Sequence, residues 1–94
     1  MVICTLICHF MLPGCRSLKE KRSQLKPLIM RLQREYNISV AEIDRQDILD
    51  EAVIACALIS NQRSLAEQTF SGVIVFIETF SMNIQLIKHH IEWR

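Results

Sequence analysis

The stretch from Val2 to Leu12 is strongly apolar and reads with a period of two. Val2, Cys4, Leu6, Cys8, Phe10 and Leu12 form one uniformly apolar face, and Ile3, Thr5, Ile7, His9 and Met11 form a less uniform one. A period of two marks a strand, and the contrast predicts one buried well on one side and partly on the other. Pro13-Gly14 is a turn signal. The spacing then becomes helical, with Leu18, Leu25, Leu28, Ile29, Leu32 and Tyr36 on one stripe. Ser17 with Glu20 three residues on is a capping box, so a helix is predicted over Leu18 to Tyr36, with Asn37 as its C-cap. Pro27 lies inside it. An interior proline removes a hydrogen bond and costs about 3 kcal/mol, which predicts a kink near Ser23 or a late start to the regular helix.

Ile38 to Asp44 reads as a second strand and Arg45 to Glu51 as a polar connection. Ala52 to Ser60 is apolar on both faces, as a central strand would be. Asn61 is placed to cap a second helix from Arg63 to Phe80, with a core stripe of Leu65, Thr69, Phe70, Val73, Ile77 and Phe80. Gly72 within it is a mild cost and a candidate point of close packing. Asn83 to Trp93 is the last strand. The order βαββαβ predicts a single α+β domain over 1–94, the ferredoxin-like split βαβ fold. This is an antiparallel four-stranded sheet with two helices on one face. Right-handed crossovers put the first and third strands in the centre, running parallel, and the second and fourth at the edges.

Ninety-four residues, half of them apolar, suffice for one core without covalent staples. No apolar run approaches the roughly 18 residues of a membrane span. Leu12-Pro13-Gly14-Cys15 loosely resembles a lipoprotein cleavage site. No basic segment precedes it, however, and Pro13 stands where a small residue belongs. The expected location is the cytoplasm. The four cysteines have neither C-x-x-C nor zinc spacing. Cys4, Cys8 and Cys56 read as small core residues in a reducing compartment, which leaves Cys15 as the exposed thiol.

Net charge is only +1, but its distribution is uneven. Arg16, Lys19, Lys21, Arg22, Lys26, Arg31 and Arg34 face only two acids up to Tyr36, so that segment is +5. The remainder, with four cations against eight acids, is −4. At 100° per residue Arg16, Lys19, Lys26, Arg31 and Arg34 project away from the leucine stripe, while Lys21 and Arg22 flank it. A one-sided basic face can hold phosphates by counterion release. The bland alternative is a solvated face that pairs with the acidic stretch Glu42, Asp44, Asp47, Asp50 and Glu51.

Glu42 and Asp44 share a strand face by alternation, but no ligand loop surrounds them. Salt links to the first helix are their expected role, and Gln46-Asp47 can anchor the turn. His9 late in the first strand and His89 late in the last are expected at opposite sheet ends, with His90 facing away from His89. That argues against a three-histidine metal site. The central strands lack the outward aromatics with which an RNA-recognition motif stacks bases. The loop Leu12 to Ser17 has one Gly and one Arg, a weak match to an acylphosphatase anion loop. Its Pro-Gly turn is similar to the ligand loop of ACT-type regulatory domains.

Leu12-Pro13-Gly14 followed by Ser17-Leu18-Lys19-Glu20-Lys21-Arg22 resembles the YlxP-like family of small bacterial proteins. Ser39-Val40-Ala41-Glu42-Ile43-Asp44, Gln46-Asp47 and Ser60-Asn61 match in the same order, so the resemblance spans nearly the whole chain. It implies a ferredoxin-like fold, a bacterial cytoplasmic protein and no established activity. It also implies genes that often lie near those for translation factors and ribosome maturation. Pro27 departs from the family, which carries an ordinary helix former there. The expected role is nonenzymatic, without metal or cofactor, in contact with RNA or a ribosomal subunit through the basic helix. The alternative is a small-ligand-binding regulatory homo-oligomer using the Pro-Gly loop. The sheet face away from the helices carries Ile3, Ile7 and Met11. The last strand is expected to add either Ile84 and Leu86 or Ile87, Ile91 and Trp93, and a homodimer through this face or the last strand's edge is expected.

Overall fold

A computed structural model describes Met1–Arg94. The elements follow in the order β1 (Val2–Met11), α1 (Leu18–Glu35), β2 (Ser39–Asp44), β3 (Glu51–Ser60), α2 (Arg63–Phe80) and β4 (Gln85–Trp93). They build one four-stranded sheet in the order β2-β3-β1-β4. This is the expected α+β, ferredoxin-like arrangement, with one correction. The central pair β1 and β3 runs antiparallel, not parallel. The right-handed crossovers join β1 to β2 and β3 to β4. Each crossover returns the chain parallel to its own start, with one strand of the other unit in between.

The core lies between one sheet face and the two helices. Cys4, Leu6, Cys8, Phe10 and Leu12 point into it from the first strand and its end. Leu25, Leu28 and Leu32 meet them from α1, and Ala66, Phe70, Val73 and Ile77 from α2. Burying each of the larger side chains is worth about 1.5–3 kcal/mol. Leu65, expected on the α2 stripe, is 47% exposed, and Ala66 takes its place. All four cysteines are free. Burial pushes the Cys8 thiol up to about 12 and that of Cys56 up to about 11, so both stay protonated and behave as core hydrophobes. Cys15 is half-buried, and its Sγ donates weakly to the Ser17 carbonyl.

The helix ends are settled locally. Ser17 Oγ accepts from the Glu20 N–H at 3.0 Å, while Glu20 reaches back to the Arg16 N–H, one residue beyond the usual box partner. Helix α1 runs unbroken through Pro27 to Glu35, with neither a late start nor an interruption at Ser23. Both Pro27 and Ser23 face solvent, where water can hydrate the carbonyl that loses its partner. Tyr36, in extended conformation, is the C-cap, and its N–H reaches the Leu32 carbonyl, so Asn37 plays no capping part. Helix α2 starts after Gln62, with no side-chain cap, which overturns the expectation for Asn61.

Two irregularities redirect side chains. Pairing of β2 with β3 slips between Glu42 and Asp44, and pairing of β1 with β4 slips between His9 and Phe10. An extra residue in one strand reverses which face the following residues point to. Glu42, opposite Ile54, therefore lies on the helix side, whereas Asp44, opposite Val53, lies on the open side. They do not share a face as alternation predicted. In β4 the extra residue is Ile87. Leu86, Ile91 and Trp93 all face the helices, and Lys88, His90 and Glu92 face out. Neither of the two apolar sets expected for the outer face is found there. His89 pairs with Cys8 in mid-strand and Lys88 pairs with His9, so His9 and His89 are not at opposite ends. They lie on opposite faces instead.

Candidate nucleic-acid interface

Helix α1 packs its leucines inward and leaves a polar surface about 27 Å long. Arg16, Lys19, Arg22, Lys26 and Arg34 are exposed on it, and none forms an ion pair within the protein. Lys19, Ser23, Lys26, Met30 and Arg34 follow at steps of three or four and so make one continuous stripe.

Arg31 is partly withdrawn from this set. Its guanidinium holds Glu35 at 2.7 Å and lies 5.4 Å over the Phe76 ring. Phe76 in turn packs against Tyr36 and Phe80. Beside this aromatic group a cleft of about 440 Å³ opens between the two helices. Pro27, Met30 and Phe80 line it together with the aliphatic stems of Lys26, Arg31 and Arg34. Its apolar floor and cationic rim suit a flat ring that carries an anionic group.

Lys21 is different in kind. It is 1% exposed, the only buried charged residue of the chain. Its Nζ donates to the carbonyls of Arg45 and Ile48, each at 2.7 Å, and stands 3.0 Å from Glu42 Oε2. Glu42 Oε2 lies within ion-pair reach but off the angle of a hydrogen bond. Lys21 thus fastens the β2–β3 connection to the first helix. That connection turns at Arg45, whose φ is +59°, with Asp44 Oδ1 accepting from the Arg45 N–H. Gln46 reaches the Glu42 carbonyl at 3.5 Å, and Asp47 stands exposed on the same turn. The expected pairing of the flank with Glu42 is present, but through a buried lysine. Arg22, the other flanking residue, is exposed. The remaining motif residues shape the entrance to α1. Gly14 takes φ +75°, which favours glycine, Pro13 is exposed beside it, and Leu18 is half-buried. The five main clefts of the surface are lined by residues outside Pro13–Ser17.

Sequence reasoning missed the cleft and the degree of burial of Lys21. The first joins residues about 50 positions apart. The second had a signal, since Lys21 sits one turn before Leu25 on the inward side.

The topology and the surface define a class: a small ferredoxin-like α+β domain with a charged first helix. The model of the family described as "Protein of unknown function (DUF503)" matches residues 3–91, and the chain belongs to that family. "Uncharacterized protein YlxP" of Bacillus subtilis (strain 168) is 34% identical to it over 73 residues, covering 78% of this chain and 79% of that one. The resemblance drawn from the motifs therefore holds. The solved structure of "De novo designed protein Foldit4" superposes with a TM-score of 0.56 at 12% identity, over 100% of this chain and 97% of that one. That likeness is one of fold alone. No helix is long and apolar enough to cross a membrane.

Proposed function

We propose that this chain is a nonenzymatic, RNA-associated protein of the bacterial cytoplasm that engages structured RNA, such as that of a ribosomal subunit, through α1. The observation that carries the reading is the unspent charge. Of the seven cations between Arg16 and Arg34, only Lys21 and Arg31 meet a carboxylate within the protein. The acidic turn could have neutralised the helix, yet Asp44, Asp47, Asp50 and Glu51 pair with none of its cations. A solvated face normally scatters its charges in both signs. Here, apart from Glu20 in the first turn and Glu35 at the end, one sign runs along the helix and borders an apolar cleft that a base can enter.

The test replaces Lys19, Lys26 and Arg34 with Gln together. All three are exposed, so the fold should be kept, with at most about 0.5 kcal/mol lost per site. Binding to structured RNA or to ribosomal subunits should weaken for every sequence alike. The slope of log K against log salt should fall by about 0.7–0.9 for each phosphate that the variant no longer neutralises. Equal binding by wild type and variant at two salt concentrations, or none by either, removes this reading.

A further inference from the structure

We propose that the open face of the sheet is the interface of a homodimer whose twofold axis runs parallel to the strands. Both helices cover one side of the sheet, and no helix covers the other, where only Val53, next to the β2–β3 turn, is fully buried. Its centre is apolar, with Ile3 and Ile7 from β1 beside Ala55, Ala57 and Ile59 from β3. Ile59 is 69% exposed, which is high for a residue in a central strand. A sheet of four strands and about eight residues spans roughly 19 by 26 Å. Covering it on two copies buries about 1,000 Å² in total, the least that a specific interface needs.

The occupant is a second copy because the face complements itself. The strand registers align side chains in rows across the sheet. Asp44, Val53, His9 and Lys88 form one row, followed by Ala41, Ala55, Ile7 and His90. A twofold axis along the strands keeps each row at its own level and reverses its order. Lys88 then faces the partner's Asp44 at both edges, a cation over an anion. In the middle, Ile7 of one copy faces the partner's Ala55 and Thr5 the partner's Ala57, and beyond them Ile3 faces the partner's Ile59. The charge match of Lys88 with Asp44 at both edges selects this arrangement. It leaves the two α1 surfaces on the outside of the dimer, so this assembly neither requires nor blocks RNA binding.

Sedimentation equilibrium or light scattering on the full chain, from low to high micromolar concentration, supplies the test. The variants are Lys88→Glu, Asp44→Asn and the two combined. Asparagine keeps an oxygen for the Arg45 N–H, so the turn survives, and circular dichroism checks the fold of each. Lys88→Glu sets like charges against each other at both edges of the dimer and should weaken it by on the order of tenfold. Adding Asp44→Asn to Lys88→Glu should recover part of that loss. A wild type that stays monomeric overturns the proposal. So does a dimer indifferent to Lys88→Glu, or one in which the second change recovers nothing.

Discussion

At the scale of single residues, Lys21 decides most. A buried ammonium is costly unless its charge and its donors are met, and here two carbonyls and a carboxylate meet it. Replacement by Met keeps the volume but strands Glu42 and leaves the Arg45 and Ile48 carbonyls without their donor. Removing one partner of a fully buried pair costs about 3–5 kcal/mol, and with Glu42 22% exposed the loss here should fall at or below about 3 kcal/mol, still a large share of the roughly 5–15 kcal/mol that holds a domain together. Urea denaturation of Lys21→Met should show that loss, and adding Glu42→Gln should return part of it by removing the stranded charge. A loss below about 1 kcal/mol would mean that the turn finds its hydrogen bonds elsewhere. The exposed cations of α1 stand in contrast. They contribute little to stability, and their cost and use lie at the surface.

At the scale of elements, α2 carries a correctable weakness. Gly72 lies in mid-helix, with the Tyr36 ring over it and Tyr36 Oη donating to its carbonyl at 3.1 Å. A Cβ built there would stand 3.5 Å from the ring, an ordinary contact. Gly72→Ala should therefore gain up to about 1 kcal/mol from helix propensity. A thermal melt should rise by about 4–8 °C per kcal/mol for a domain of this size. A fall would show that the ring needs the missing methyl's space. The elements also explain what the sequence disclosed and what it hid. Strands and helices were legible because alternation and helical spacing are local signals, and Arg63–Phe80 was placed to the residue. What failed depended on pairing. One extra residue near Ile43 separated Glu42 from Asp44, and Ile87 turned Leu86 to the same side as Ile91. A bulge is set by how two strands meet, and neither strand alone records it. The basic face was legible for the same reason as the helix. The cleft against Phe80 was not, because it requires the packing of α1 on α2.

At the scale of the whole molecule, the two faces of the fold divide the tasks. The helical side holds the core and offers the cations, and the open sheet side offers the apolar rows proposed to meet a second copy. His9 lies on an inner strand of that open face, near the β2–β3 turn, and would give the proposed dimer a pH dependence. Burial holds its imidazole below the ordinary pKa of 6.5, and the nearby Lys88, His90 and Arg45 push the same way, against Asp44. These charges come from β4 on one side and the β2 turn on the other, while β3 places apolar Val53 opposite. The folded chain thus accepts the His9 proton less readily than the unfolded one. The stability that neutral His9 contributes is whole above the ordinary imidazole range and is lost as pH falls through it. Dimerisation would remove more water from the ring and sharpen the effect, so association should release protons. The dimer dissociation constant should rise as pH falls from about 7.5 to about 5, by at most about a hundredfold per pH unit, since two such rings are involved. His9→Gln should flatten that rise. A dissociation constant unchanged across this range would place His9 outside the interface, and the strand-parallel dimer would fall with it.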